Sequence, residues 1–306
     1  MEEIKVTQIT DPVFGKCLSM ANELVELRVT LNFGPRIIYF ACAGMENVFY
    51  QDEEKAALEN FEEFDDVFKL YGGHRLWISP EVLPRCYHPD NLPVSYTEIG
   101  RSIRFTGEEE KYNKIQKSIT IAMKPGSPHV SVIHSIRNKG LWDIQLAPWA
   151  ITMLAPGGIE VMPMPSRETK YLANRNFSFW DYSELNDSRL YLGEEFLTLI
   201  QDANKKNPFK LGYNNEKGWA AYFNKGQVFL KYFEPEIDGI YPDNGCCFET
   251  YTNAKFLEME TLGEINELGP DDFITLEETW ELYPADSPGN TRDEAKLRES
   301  VSEWVL

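Results

Sequence analysis

Along residues 24–31, LVELRVTL, apolar Val25, Leu27, Val29 and Leu31 alternate with Glu26, Arg28 and Thr30. A period of two puts the apolar set on one side of an extended chain, so this stretch predicts a half-buried strand. Gly34 and Pro35 punctuate it, and Ile37 to Phe40 read as its partner. The same alternation recurs at Ile119, Ile121 and Met123, at Val130, Val132 and Ile136, and at Trp280 and Leu282. Residues 219–233, WAAYFNKGQVFLKYF, break at Asn224, Lys225 and Gly226, turn chemistry that joins two strands into a hairpin.

Helical spacing is rare. Residues 52–69, DEEKAALENFEEFDDVFK, bring Leu58, Phe61 and Phe68 toward one face and predict a helix rich in exposed carboxylates. A second helix is expected over 291–305, where Thr291 and Glu294 have capping-box spacing and Leu297, Val301 and Trp304 form an apolar stripe. With no repeat or linker in view, residues 1–306 are expected to form a single all-β domain. Its architecture is a large antiparallel β-sandwich with a few short helices. Residues 163–215, the least regular part, are expected to be a long excursion over one face of a sheet.

Charge narrows the partners. Thirty basic residues against 49 acidic ones give a formal net charge of -19, which repels phosphate backbones and anionic lipid, so neither nucleic acid nor membrane is an expected partner. Phosphorylated sugars are disfavoured for the same reason. The five cysteines are odd in number and lack metal-type spacing, and two are adjacent; together with a start lacking an apolar leader, they fit a reducing cytoplasm. No phosphate loop, nucleophile elbow or HExxH helix is present, no metal or other cofactor is expected, and nothing fixes an oligomeric state.

The stretch YGGHRLWISPE, residues 71–81, concentrates candidate chemistry. Trp77 can cover the C–H side of a pyranose while His74, Arg75 and Glu81 bind its hydroxyls, and the two glycines before His74 allow close approach of the backbone to a ligand. The alternative is a structural corner, with Trp77 in the core and Arg75 paired to Glu81. Trp149 divides in the same way between stacking platform and core. Glu249 lies between apolar Phe248 and Tyr251, where burial raises a carboxyl toward neutrality, or else it is a rim carboxylate. Glu258 and Glu260 alternate with Leu257 and Met259 and read as the exposed face of a strand, while Lys231 and Asp243 fall near Glu249 in chain order or are surface charges. His88 sits in a proline-bounded turn.

Taken in order, NELVELRVTLNFGPRI, GGHRLWISPE, APWAITMLAPGG, CCFETYTNAKFLEMETLG and ETWELY resemble the galactose mutarotase-like superfamily over most of residues 20–283. The resemblance implies a β-sandwich whose concave face holds a free sugar, a glutamate as general base and histidines as proton donors. The base motif is similar to Cys247-Phe248-Glu249-Thr250, which makes Glu249 the implied base. The family's mid-chain asparagine-histidine-aromatic motif corresponds to APWAITMLAPGG, which holds Trp149 and no histidine, leaving His74 or His88 as replacement acid. The expected partner is therefore a small-molecule carbohydrate and the expected activity an aldose 1-epimerase (mutarotase) type of isomerisation. Glu249 and His74 would carry the chemistry, with Arg75, Trp77, Glu81, Trp149, Lys231 and Asp243 holding substrate. The alternative is a non-catalytic sugar-binding or sensing module.

Overall fold

β-Branched and aromatic residues at alternate positions build two large antiparallel sheets with little helix between them. The computed structural model describes residues 4–305 except 59 and 290; residues 1–3 and 306 of the expected domain lie outside the described residues. Among the described residues, the first sheet runs Lys5–Asp11, Gly15–Ala21, Val25–Thr30, Ile37–Cys42, His74–Ser79, Ile144–Leu154, Leu257–Leu262, Phe248–Thr252, Phe209–Tyr213 and Phe177–Phe179, with Asn266–Leu268 also beside Ile144–Leu154. The second runs Leu190–Leu192, Phe196–Ile200, Ile159–Pro163, Trp219–Asn224, Gln227–Phe233, Phe273–Pro284, Val130–Asn138, Ile115–Met123, Ser102–Thr106 and Ser95–Ile99. Each stretch read as a strand from alternation overlaps one of these, with Leu24 and Leu31 just outside Val25–Thr30. In the hairpin, Asn224 pairs with Gln227, so Lys225 and Gly226 form a two-residue turn with φ of 52° and 70°.

The inward faces of both sheets meet in one apolar core. Leu27, Phe40 and Met259 of the first sheet pack with Val132, Phe229 and Trp280 of the second. The rings of Phe40, Phe49, Phe229 and Trp280 interlock at tilted or edge-on angles, which favours aromatic packing over a flat stack.

A closed polar network is buried in this core. His134 Nδ1 donates to the Leu276 carbonyl at 2.9 Å, so its Nε2 accepts from His74 Nε2 at 2.6 Å, and His74 Nδ1 accepts from the Thr152 hydroxyl at 2.8 Å. That is one consistent pair of neutral tautomers. Burial holds both imidazoles below their ordinary range. A Glu278 oxygen and the two imidazoles come within 4.8 Å of one another, a spacing that metal ligands also show. Here Trp280 Nε1 donates to Glu278 Oε2 at 2.7 Å and the Lys231 ammonium lies 3.1 Å from Oε1, so an indole donor and a cation already face the carboxylate.

Glu160 faces the same interior and accepts a hydrogen bond from Thr250 Oγ1 at 2.6 Å. Burial pushes its carboxyl up, Thr250 and Lys231 pull it back, and it settles at about 8. A folded-state value above the unfolded one gives stability that is fully present below the ordinary carboxyl range and lost as pH rises through about 8. Glu160→Gln, a neutral isostere, is therefore expected to match the parent's urea midpoint near pH 4 and to exceed it at pH 9. A difference between the two proteins that stays constant with pH contradicts this.

Three local expectations change. The 52–69 segment is not a helix: Leu58 N donates to the Phe68 carbonyl at 3.1 Å and Leu70 N to that of Ala56 at 3.0 Å, so its halves lie against each other. A helix would have stacked carboxylates at helical spacing, where like charges repel. The folded-back form instead lets Asp52 accept from Ala56 N and buries Phe68 against Trp77. Gly72 and Gly73, with φ of 87° and 68°, serve the fold: a Cβ on either would lie 2.3 Å from the carbonyl oxygen of Tyr50 or Ile37. The 163–215 excursion carries four strands and supplies both sheets. The C-terminal helix forms as Glu294–Val305, burying Leu297 and Val301 against Phe196 and Trp219. No helix among the described residues is long and apolar enough to cross a membrane.

Candidate functional site

Strand register decides which side chains meet, because directly opposed residues share a face. Across the first sheet one row runs Arg75, Ile151, Glu260, Glu249 and Gly212. The next runs Met153, Glu258, Tyr251 and Lys210, and Trp77 stands opposite Trp149. The intervening row, His74, Thr152, Met259, Thr250 and Leu211, points into the core. The first two rows therefore face outward, away from the second sheet.

On that outer face lies a cavity of about 420 Å³, walled by Arg75, Trp77, Trp149, Lys210, Glu258 and Glu260. Connections between strands complete it: Asp52 and Leu58 come from the folded-back acidic segment, Glu81 and Tyr87 from the loop after His74–Ser79, and Tyr182 from the excursion. A second hollow of about 360 Å³ shares Glu81, Tyr87 and Trp149 with it and adds Leu83, Trp180 and Asp243.

Charge pairing fixes the walls. Lys210 Nζ lies 2.7 Å from Glu249 and 2.9 Å from Glu260, and sits 4.6 Å from the ring centres of both Trp149 and Trp180. Trp149 Nε1 donates to Glu260 Oε2 at 2.8 Å, which locks the indole over the ammonium. Arg75 stacks on Trp77 at 4.5 Å and reaches Glu258 at 3.3 Å, while its Nε and Nη1 have no protein partner. Glu81 accepts from the Tyr87 hydroxyl at 2.6 Å instead of pairing with Arg75.

One ammonium cannot keep two buried carboxylates ionised at once. Burial drives the Glu249 carboxyl well above its ordinary range, against the pull of Lys210 and with a further push from Glu260. Burial lowers the Lys210 ammonium, but Glu260 and Glu249 more than offset this and leave it well above the usual lysine range. Glu258 differs in being open to the cavity. Burial raises it, Arg75 pulls it down and Glu260 raises it, with a result of about 7.

Of the residues singled out from sequence, Arg75, Trp77, Glu81 and Trp149 line the main cavity and Asp243 the adjoining hollow. Glu249 lies beneath the wall, fully buried against Gly212 and Lys210. Two expectations fail geometrically. His74 is fully buried on the opposite face of the sheet, and Lys231, on Gln227–Phe233 of the second sheet, is buried against Glu278. Neither touches the cavity. His88 turns onto the Pro89 carbonyl and the Phe64 ring. Asp243 and Asn244 hold φ of 50° and 66° beside the hollow, backbone strain of a kind found at binding sites.

Residue type alone does not mark Lys210, Glu258 or Glu260 as site residues. Glu258 and Glu260, expected on the exposed face of a strand, are both buried and face the cavity. The available signal is their spacing of two in the strand after Glu249: alternate residues share a face, and Phe209–Tyr213, the strand beyond Phe248–Thr252, supplies Lys210.

A scan against protein-family models finds no match, and neither does a search of curated proteins. Solved structures do match. A galactose mutarotase-like protein from Lactobacillus casei superposes with a TM-score of 0.56 at 9% identity, over 87% of this chain and 100% of that one. One from Clostridium acetobutylicum gives 0.54 at 12% identity, over 92% and 98%. A TPR-domain-containing protein from Parabacteroides distasonis gives 0.59 at 13% identity over 91% of this chain; the match spans about half, 49%, of that protein. The paired antiparallel sheets and these superpositions agree: the chain has a β-sandwich fold similar to that of the galactose mutarotase-like proteins.

Proposed function

We propose that the protein binds a small, uncharged reducing sugar in the outer cavity and interconverts its anomers by proton transfer. The observation that carries this reading is Glu258, a carboxyl at about 7 that opens onto a cavity walled by two tryptophans and a lysine. A group titrating near neutral pH is matched to general acid-base work. The parts of Trp77 and Trp149 that line the cavity meet sugar C–H groups, and Glu81, Lys255 and Glu258 on its wall offer hydrogen bonds to hydroxyls. Asp52, Glu81, Glu258 and Glu260 are nearly balanced by Arg75, Lys210 and Lys255, which suits a ligand without charge. The fold's likeness to galactose mutarotase-like proteins points to the same ligand class.

In this mechanism the Glu258 carboxylate removes the proton from the anomeric hydroxyl. The C1–O1 bond becomes a carbonyl, the bond from C1 to the ring oxygen breaks, and its electron pair goes to that oxygen. The resulting alkoxide takes a proton from Lys210, a downhill transfer because an alkoxide is more basic than a lysine amine. Lys210 keeps a third N–H for this after meeting Glu249 and Glu260. Rotation about C1–C2 and the reverse steps close the other anomer. Polarimetry of freshly dissolved α-glucose and α-galactose tests the reading: mutarotation faster than in buffer is expected, and no acceleration at high protein concentration removes the catalytic half.

A second reading, a sugar-binding module without turnover, is favoured by one observation: no histidine lines the cavity among the described residues. Calorimetric binding of a sugar without acceleration supports it.

A further inference from the structure

The main cavity does not end at Trp149. The adjoining hollow, about 360 Å³ against about 420 Å³, shares Glu81, Tyr87 and Trp149 with it, so the two form one cleft with a common wall. Lys210 sits between the rings of Trp149 and Trp180 at 4.6 Å from each, which continues the aromatic wall from the first chamber to the second. Glu81 and Asp243 bring carboxylates to the second chamber, and Leu83, 58% exposed, forms part of its apolar rim. Each chamber is large enough for a sugar ring, and the proton-transfer groups line only the first.

We propose that the cleft takes two linked sugar rings: the reducing ring beside Glu258 and a second ring between Trp180 and Leu83. The ligand class is thus an uncharged disaccharide or the reducing end of a longer glycan. This rests on the sugar-binding reading above and extends it. An aromatic wall presented to a second ring adds affinity only if that ring is present, so a disaccharide is expected to bind about tenfold more tightly than either monosaccharide.

Calorimetric titration of the full chain with glucose, galactose, maltose, cellobiose, lactose and melibiose tests it, with Leu83→Arg and Leu83→Ala beside the parent. Leu83→Arg fills the mouth of the second chamber and is expected to lower affinity for the preferred disaccharide about tenfold. Monosaccharide affinity should be unchanged, and Leu83→Ala should show a smaller loss. Equal affinity for mono- and disaccharides, or a disaccharide preference untouched by Leu83→Arg, overturns the two-ring proposal while leaving the sugar-binding reading intact. Failure of every sugar to bind overturns both.

Discussion

Glu258→Gln is expected to slow anomer interconversion by about 10²- to 10⁴-fold, the range that one general acid-base group contributes. The amide keeps the side chain's shape and its contact with Arg75 but cannot accept a proton. Sugar affinity should therefore change far less than rate. In the parent the rate should rise with pH through about 7 as Glu258 ionises, and the residual rate of the variant should lack that step. Exchange NMR between α and β anomers over pH 5–9 reads both effects. Glu249→Gln is the companion experiment. Because Glu249 is buried behind Lys210 and does not line the cavity, its amide should leave the pH profile in place. If instead Glu249→Gln abolishes turnover and Glu258→Gln does not, the roles assigned to the two carboxylates are reversed.

Lys210→Met is expected to destabilise the protein by about 3–5 kcal/mol, the usual cost of removing one partner from a buried ion cluster. Methionine fills much of the volume, so the loss is electrostatic. Glu249 and Glu260 lose the ammonium at 2.7 and 2.9 Å, and the facing Trp149 and Trp180 rings lose the cation between them. Glu249→Gln should cost less, since burial already raises that carboxyl well above its ordinary range and the Lys210–Glu260 pair stays in place. Urea denaturation of the three proteins at pH 7 gives the comparison, and equal midpoints for parent and Lys210→Met contradict the buried-cluster account.

Much of the fold was legible because a strand with one face on a core carries a period of two, and LVELRVTL or the WAAYF and QVFLKYF arms of the hairpin show it plainly. The acidic 52–69 segment misled because apolar residues at helical spacing also suit a folded-back loop whose Phe68 is buried; spacing alone carries no information about Trp77 waiting beneath it. Arg75, Trp77 and Trp149 could be found from residue chemistry. The error in placing His74 beside Arg75 has a simple physical origin: neighbours on a strand point to opposite faces. The same rule, applied to the run from Leu257 to Leu262, separates Glu258 and Glu260 from Met259 and places them with Tyr251 and Arg75. What the sequence alone lacked was register, which pairs Glu260 with both Ile151 and Glu249 and so brings Lys210 to the site.

A sugar is expected to lie against the outer face of the first sheet, over Trp149. Saturation-transfer NMR measures this directly, with a reducing sugar in excess over the parent or over Trp149→Leu. Strong transfer to the ring C–H protons is expected from the parent, and its loss in the folded variant. Equal transfer from both proteins would contradict it.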